Sequence, residues 1–154
     1  MNKLEKAMFT AAFKAIYSKE EQQALETMND DDLPVIISGS DGTGKRFILN
    51  KVLQKQKNVI KISPINTNIN HLLDSDHINN SPLLSSKNTI VFDKFEDFDL
   101  QAQSLIIEFI NQTLLFKRNK LFFTLEKSKE KAFLNLKKIN QIFHSVQLRS
   151  VKKN

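Results

Sequence analysis

The chain's three glycines, Gly39, Gly42 and Gly44, all fall inside one stretch, "GSDGTGKR", between the apolar run "VIIS" and a helical pattern that begins at Lys45. A polypeptide that confines its most permissive residue to one loop needs unusual backbone freedom there. The stretch matches G-x-x-x-x-G-K, the phosphate-binding (Walker A) spelling, at Gly39, Gly44 and Lys45. Glycines let successive amides converge on phosphate oxygens, the following helix aims its positive end at the same anion, and the lysine adds a charge. Here the loop follows an expected strand and opens an expected helix, as the motif requires. A plain glycine turn ending in lysine is the alternative. Arg46 stands where this spelling has a Ser or Thr that touches Mg2+. Its guanidinium would either meet a phosphate or lie on the surface.

Around that loop the chain alternates. Strands are expected at Val35–Ser38, Asn58–Ser63, Asn88–Asp93 and Lys120–Leu125, with a possible fifth in "HSVQLRS" from His144. Helices are expected over about 45–56, 100–116 and 129–142. Strands alternating with helices imply crossover units and a mainly parallel sheet covered on both faces. Residues 1–32 read as leading helices, with Ser18 and Glu21 as a capping box, and residues 33–154 as the strand-and-helix core of a single domain. The Asn- and Ser-rich segment from Ser63 to Asn88 carries the least pattern.

Composition removes several function classes. The chain has no cysteine, so disulfides, thiolate metal sites and cysteine nucleophiles are excluded. This suits a cytoplasmic setting. No apolar run approaches the roughly 20 residues that cross a bilayer, so no membrane partner is expected. The formal net charge of +6 reads as a solvated, lysine-rich surface with a small concentration at Arg149, Lys152 and Lys153. "KSKEKAFLNLKK", Lys127 to Lys138, reads as an amphipathic helix with a wet face, and direct sequence-specific DNA binding is not expected. His71, His77 and His144 are too scattered to form a metal site. The helix from Leu100 is apolar around most of its circumference, which core packing explains, with a partner surface as the alternative.

Asp93 ends the apolar run "NTIVFD", the place where a phosphate-loop protein carries the aspartate that holds Mg2+. Together, "GSDGTGKR" and "NTIVFDKFEDFDLQAQSLIIEFINQ" resemble the AAA+ ATPase domain of the bacterial enhancer-binding activators that remodel the sigma fifty-four holoenzyme. That family writes its loop G-E-S-G-T-G-K-E, and its second motif shares the "LQA" found at Leu100 to Ala102. The resemblance implies a three-layer α/β P-loop NTPase, AAA+-like, with a mainly parallel sheet of about five strands; the lid domain that the family carries is expected to be absent. It implies that Gly39, Asp41, Gly42, Thr43, Gly44, Lys45 and Arg46 hold the phosphates of ATP or ADP, and that Asp93 positions Mg2+. It also implies a protein partner, either a related AAA+ subunit or the transcription machinery.

Departures from the family pattern bear on catalysis. Lys94 replaces the glutamate that polarises the attacking water, and a lysine does not accept a proton at neutral pH without a strongly depressed pKa. Glu96 is the remaining candidate base, although strand-to-loop geometry argues against it. The γ-phosphate-sensing pair registers with Leu125 and Glu126, with Thr124 one step early. No arginine occurs between Lys120 and Leu148 to act as a finger, and the G-A-F-T-G-A loop is absent from residues 66–87. The expectation is a degenerate, nucleotide-binding regulatory or protein-interaction module in transcription control, with weak or no hydrolysis. The alternatives are a small active ATPase that uses Glu96 and a lysine such as Lys137 or Lys138, and an interaction module that keeps only the fold.

Overall fold

The computed structural model describes residues 31–39, 44–64, 86–126 and 130–148. The expected leading helices, most of the Asn/Ser-rich segment, His71 and His77, and the terminal Arg149, Lys152 and Lys153 lie outside the described residues. In chain order the elements are β1 (Val35–Ser38), α1 (Lys45–Leu53), β2 (Val59–Ile62), β3 (Thr89–Phe92), a 3₁₀ turn (Phe95–Asp97), α2 (Leu100–Thr113), α3 (Leu115–Arg118), β4 (Lys120–Leu125), α4 (Glu130–Leu136) and β5 (His144–Gln147).

The five strands form one sheet in the order β2-β3-β4-β1-β5, and every pairing is parallel. The central strands β1 and β3 are buried along their whole length, and β4 is buried beyond its first residue. Their unbroken apolar runs follow from having helices on both faces. Period-two alternation sorts the side chains. Ile36, Ile90, Phe92, Leu121 and Phe123 face α2, α3 and α4, while Val35, Ile37, Val91 and Phe122 face α1 through Ile48, Leu49 and Val52. The edge strands β2 and β5 are only partly covered.

Three helices end sooner than their periodicity predicts, α1 at Leu53, α2 at Thr113 and α4 at Leu136. The apolar pattern from Leu100 to Phe116 is two helices, because Leu114 adopts a left-handed conformation (φ 53°). The break turns Leu115 and Phe116 into the core and leaves Leu114 42% exposed. The seemingly all-round apolar helix is thus two ordinary amphipathic pieces. Helix α4 stops at Leu136 because Asn111 of α2 takes over the next backbone groups. Its amide donates to Lys138 O at 2.9 Å and its oxygen accepts from Asn140 N–H at 2.8 Å. Along α4, Ala132 and Leu136 are buried while Lys131 is exposed, as are Lys137 and Lys138 just beyond it.

Phenylalanine sets the turn that leads out of β3. Phe92 stacks on Phe123 (5.1 Å between centroids), and Phe95 meets Phe123 edge-on at 5.7 Å. For Phe95 to reach that position from Asp93, Lys94 takes φ 53°. A left-handed non-glycine residue costs about 1–2 kcal/mol. Full burial of Phe95 returns about 1.5–3 kcal/mol, so burial wins and the turn is held.

Candidate phosphate site

The site lies where β1, β4 and β3 end, the edge at which open α/β sheets carry their ligands. Gly39 leaves β1 with its N–H bonded to Leu125 O at 3.1 Å. Gly44 closes the loop with φ 81°, a left-handed conformation that costs only glycine nothing, and its carbonyl accepts the Ile48 N–H at 2.9 Å to start α1. No side chain caps α1, and its first turn carries no acid. Among the described residues, no side-chain acceptor caps the positive end of the helix. Asp41, Gly42 and Thr43 lie outside the described residues.

The Lys45 Nζ donates to Gly39 O at 2.9 Å. The expected lysine therefore stands one hydrogen bond from the residue that follows β1. Arg46 has a protein partner at the end of β3. Its Nη2 pairs with Asp93 Oδ2 at 2.8 Å, with half of the arginine side chain still in solvent.

Asp93 sits one residue beyond β3, beside β4, because Phe92 pairs with Phe123 and the next step brings Asp93 opposite Thr124. The Thr124 hydroxyl donates to Asp93 Oδ1 at 2.6 Å and accepts the Lys94 N–H at 2.9 Å. Burial pushes the Asp93 carboxyl up, but the Thr124 and Arg46 hydrogen bonds and the charges of Arg46 and Lys94 outweigh it and hold it below the usual aspartate range. Thr124 is the residue that sequence reasoning misplaced. Alignment to the family's sensor pair passed over it by one position, and only the β3–β4 register assigns it to Asp93.

A cleft of about 530 Å³ opens over this network, lined by Gly44, Lys45, Arg46, Asp93, Lys94 and Thr124, with Glu96, Asp97 and Glu126 on its rim. Glu96 is brought to the site after all, because the 3₁₀ turn swings it back toward the loop. Its Oε2 is buried and meets no hydrogen-bond partner among the described residues. Burial, then the neighbouring Asp97 and Glu126, push its carboxyl above the usual range against the pull of its own backbone N–H and of Lys45.

Mg2+ takes near-octahedral oxygen ligands at about 2.0–2.1 Å. In this cleft both Asp93 oxygens already accept hydrogen bonds, and Arg46 supplies no lone pair where a hydroxyl would stand. Among the described residues no group of three His, Cys, Asp or Glu could hold a metal ion. Among the described residues, the donor set as arranged does not fit a directly bound Mg2+.

No protein-family model matches the chain, and no curated protein matches it. Solved structures do. A DNA replication initiation factor superposes with a TM-score of 0.54 at 17% identity, over 85% of this chain and 44% of that one. A Bacteroides sp Pif1 in complex with ADP-AlF4 gives 0.54 at 17%, over 89% and 43%. Pif1 from a structure of DNA unwinding at forked dsDNA gives 0.54 at 16%, over 86% and 43%. The chain spans less than half the length of each. No helix among the described residues is long and apolar enough to cross a membrane. What is shared with these proteins, at such identities, is the architecture, and this chain has the α/β fold of the P-loop NTPases with a five-stranded all-parallel sheet.

Proposed function

We propose that this chain binds the phosphates of ATP or ADP in the loop from Gly39 to Arg46 and works as a nucleotide-responsive regulatory or protein-interaction module with little or no hydrolysis. One observation carries the reading. A strand, a loop closed by left-handed Gly44 and an uncapped helix led by Lys45 open together onto a cleft of about 530 Å³. Asp41, Gly42 and Thr43 would complete the cradle. The case against turnover rests on Lys94, which occupies the glutamate position and brings a positive charge where a base is needed.

The placement in transcription control follows the resemblance to the enhancer-binding activators. The partner it suggests is a related AAA+ subunit or the sigma fifty-four machinery. Added to an intact activator, the chain should change that activator's assembly in size-exclusion chromatography.

Isothermal titration of the full chain with ATP and with ADP tests nucleotide binding. Lys45→Ala should weaken binding at least about tenfold, since a hydrogen bond to a charged partner contributes about 1.5–3 kcal/mol. A parent protein that takes up neither nucleotide would leave the interaction module that keeps only the fold.

A second reading, a small active ATPase, is favoured by Glu96 alone. A carboxylate raised above its usual range and facing the cleft is a better proton acceptor near neutrality than an ordinary one. Steady-state phosphate release that disappears in Glu96→Gln would establish it.

A further inference from the structure

Arg46 stands in the slot where the loop spelling has a metal-touching hydroxyl, and it has already found the carboxylate the metal would share. The pair joins residues 47 apart in sequence at 2.8 Å. Behind it runs a chain of hydrogen bonds with a fixed direction. The Lys94 N–H donates to the Thr124 hydroxyl, Thr124 donates to Asp93 Oδ1, and Asp93 Oδ2 is left to receive Arg46. Because the hydroxyl's own proton is committed to Asp93, the aspartate stays an acceptor. Its depressed proton affinity keeps it charged and Arg46 in place.

A guanidinium has five N–H donors in a planar fork suited to bridging a carboxylate and a phosphate. Among the described residues the bond to Asp93 leaves most of that fork uncommitted, and half of the side chain is solvent-exposed beside Lys45. A dication placed against Asp93 would face this fixed positive charge and gain no ligand from it.

We propose that Arg46 is the built-in counter-cation of the phosphate site, so that the nucleotide polyphosphate is bound without a divalent metal. This rests on the nucleotide-binding reading given above. Arg46 donates to phosphate oxygens while Asp93 holds its other edge, and Lys45 exchanges Gly39 O for phosphate. Asp93 and Thr124 are positioning residues, which act on the ligand through Arg46.

The test is a titration of the full chain with ATP, in excess Mg2+ and in excess EDTA. The parent protein should bind with dissociation constants that agree within about threefold in the two conditions. Arg46→Thr restores the hydroxyl and frees Asp93. It should bind at least about tenfold more weakly than the parent in EDTA, a loss in the range of one charge-assisted hydrogen bond, and recover when Mg2+ is added. Asp93→Asn in the Arg46→Thr background should abolish that recovery, a change that a merely structural role for Arg46 would not produce. Arg46 is half exposed, so these variants are expected to fold, and far-UV circular dichroism checks it.

A parent protein that binds only with Mg2+ overturns the proposal. So does a parent that fails to bind while Arg46→Thr binds with Mg2+, for then Arg46 is a plug. Failure of every form in both conditions removes the nucleotide reading itself and this inference with it.

Discussion

Where the strands of the sheet begin, Lys120 is paired with Asp31; where they finish, Arg46 is paired with Asp93. The chemistry is the same and the surroundings are not. At the first end the Lys120 side chain is 8% exposed and its ammonium donates to three oxygens, Asp31 O (2.7 Å), Asp31 Oδ1 (3.2 Å) and Leu33 O (2.6 Å). Asp31 also accepts the Leu33 N–H and meets His144 Nε2 at 2.5 Å. Burial opposes its charge, but those bonds together hold its carboxyl below the usual range. The cluster ties the approach to β1 to the first residues of β4 and β5. At the other end, among the described residues, a half-exposed arginine has a single protein acceptor and Glu96 has a buried oxygen with none, and Lys94 is held left-handed. Groups with every partner inside the fold hold strands together. Groups left with spare donors and acceptors are those a ligand can recruit.

If that contrast is sound, removing the closed cluster should cost most. Lys120→Met keeps the apolar stem against Phe122, whose ring lies 5.7 Å from the ammonium, but leaves the Leu33 and Asp31 carbonyls without their donor. A loss of about 2–3 kcal/mol is expected in urea denaturation, in the range of hydrogen bonds to a charged group. A loss below about 0.5 kcal/mol would mean that the cluster merely decorates the surface. Arg46→Ala, the matching change at the other end, should cost under about 1 kcal/mol, as half-exposed ion pairs do.

Much of this contrast was illegible in the sequence. β1 and β4 were bounded to the residue, because strands covered on both faces are uninterrupted apolar runs. The connection from β1 into α1 was equally plain, since all three glycines mark it. The closed cluster left no local signal. Asp31 is 89 residues from Lys120 and 113 from His144, and nothing beside it in sequence points to either. Thr124 was missed because a family register was carried through a strand end, where one residue changes the face. Arg46 was visible as an oddity. Which carboxylate it meets is set by two strand registers and the turn at Lys94, none of them a property of its neighbours in sequence.

Thr124 tests how far the open end still depends on its own bonds. It is 1% exposed, and Thr124→Val keeps the shape while removing the donor to Asp93 and the acceptor of the Lys94 N–H. About 1–2 kcal/mol of stability should be lost, chiefly from the unsatisfied amide. The hydroxyl is also the strongest of the groups holding the Asp93 carboxyl down. Stability from such a carboxyl is present above the usual aspartate range and is lost as pH falls through its depressed folded value. In Thr124→Val that acid loss should shrink. An unchanged acid limb would show that Arg46 alone sets the charge on Asp93.

Glu96 should give the smallest effect and the opposite sign. Its carboxyl binds a proton more tightly in the folded chain than in the unfolded one, because burial and the charges of Asp97 and Glu126 disfavour its ionised form. Such a group contributes its full stability below the usual glutamate range, and the contribution is lost as pH rises through the raised folded value. Glu96→Gln removes that loss, so the variant should gain on the parent as urea midpoints are followed upward from about pH 4 toward neutrality. A difference that stays level with pH would show that the Glu96 oxygen is solvated like any surface carboxylate. The open end of the sheet would then have no unpartnered acceptor, and its contrast with the closed end would rest on Arg46 alone.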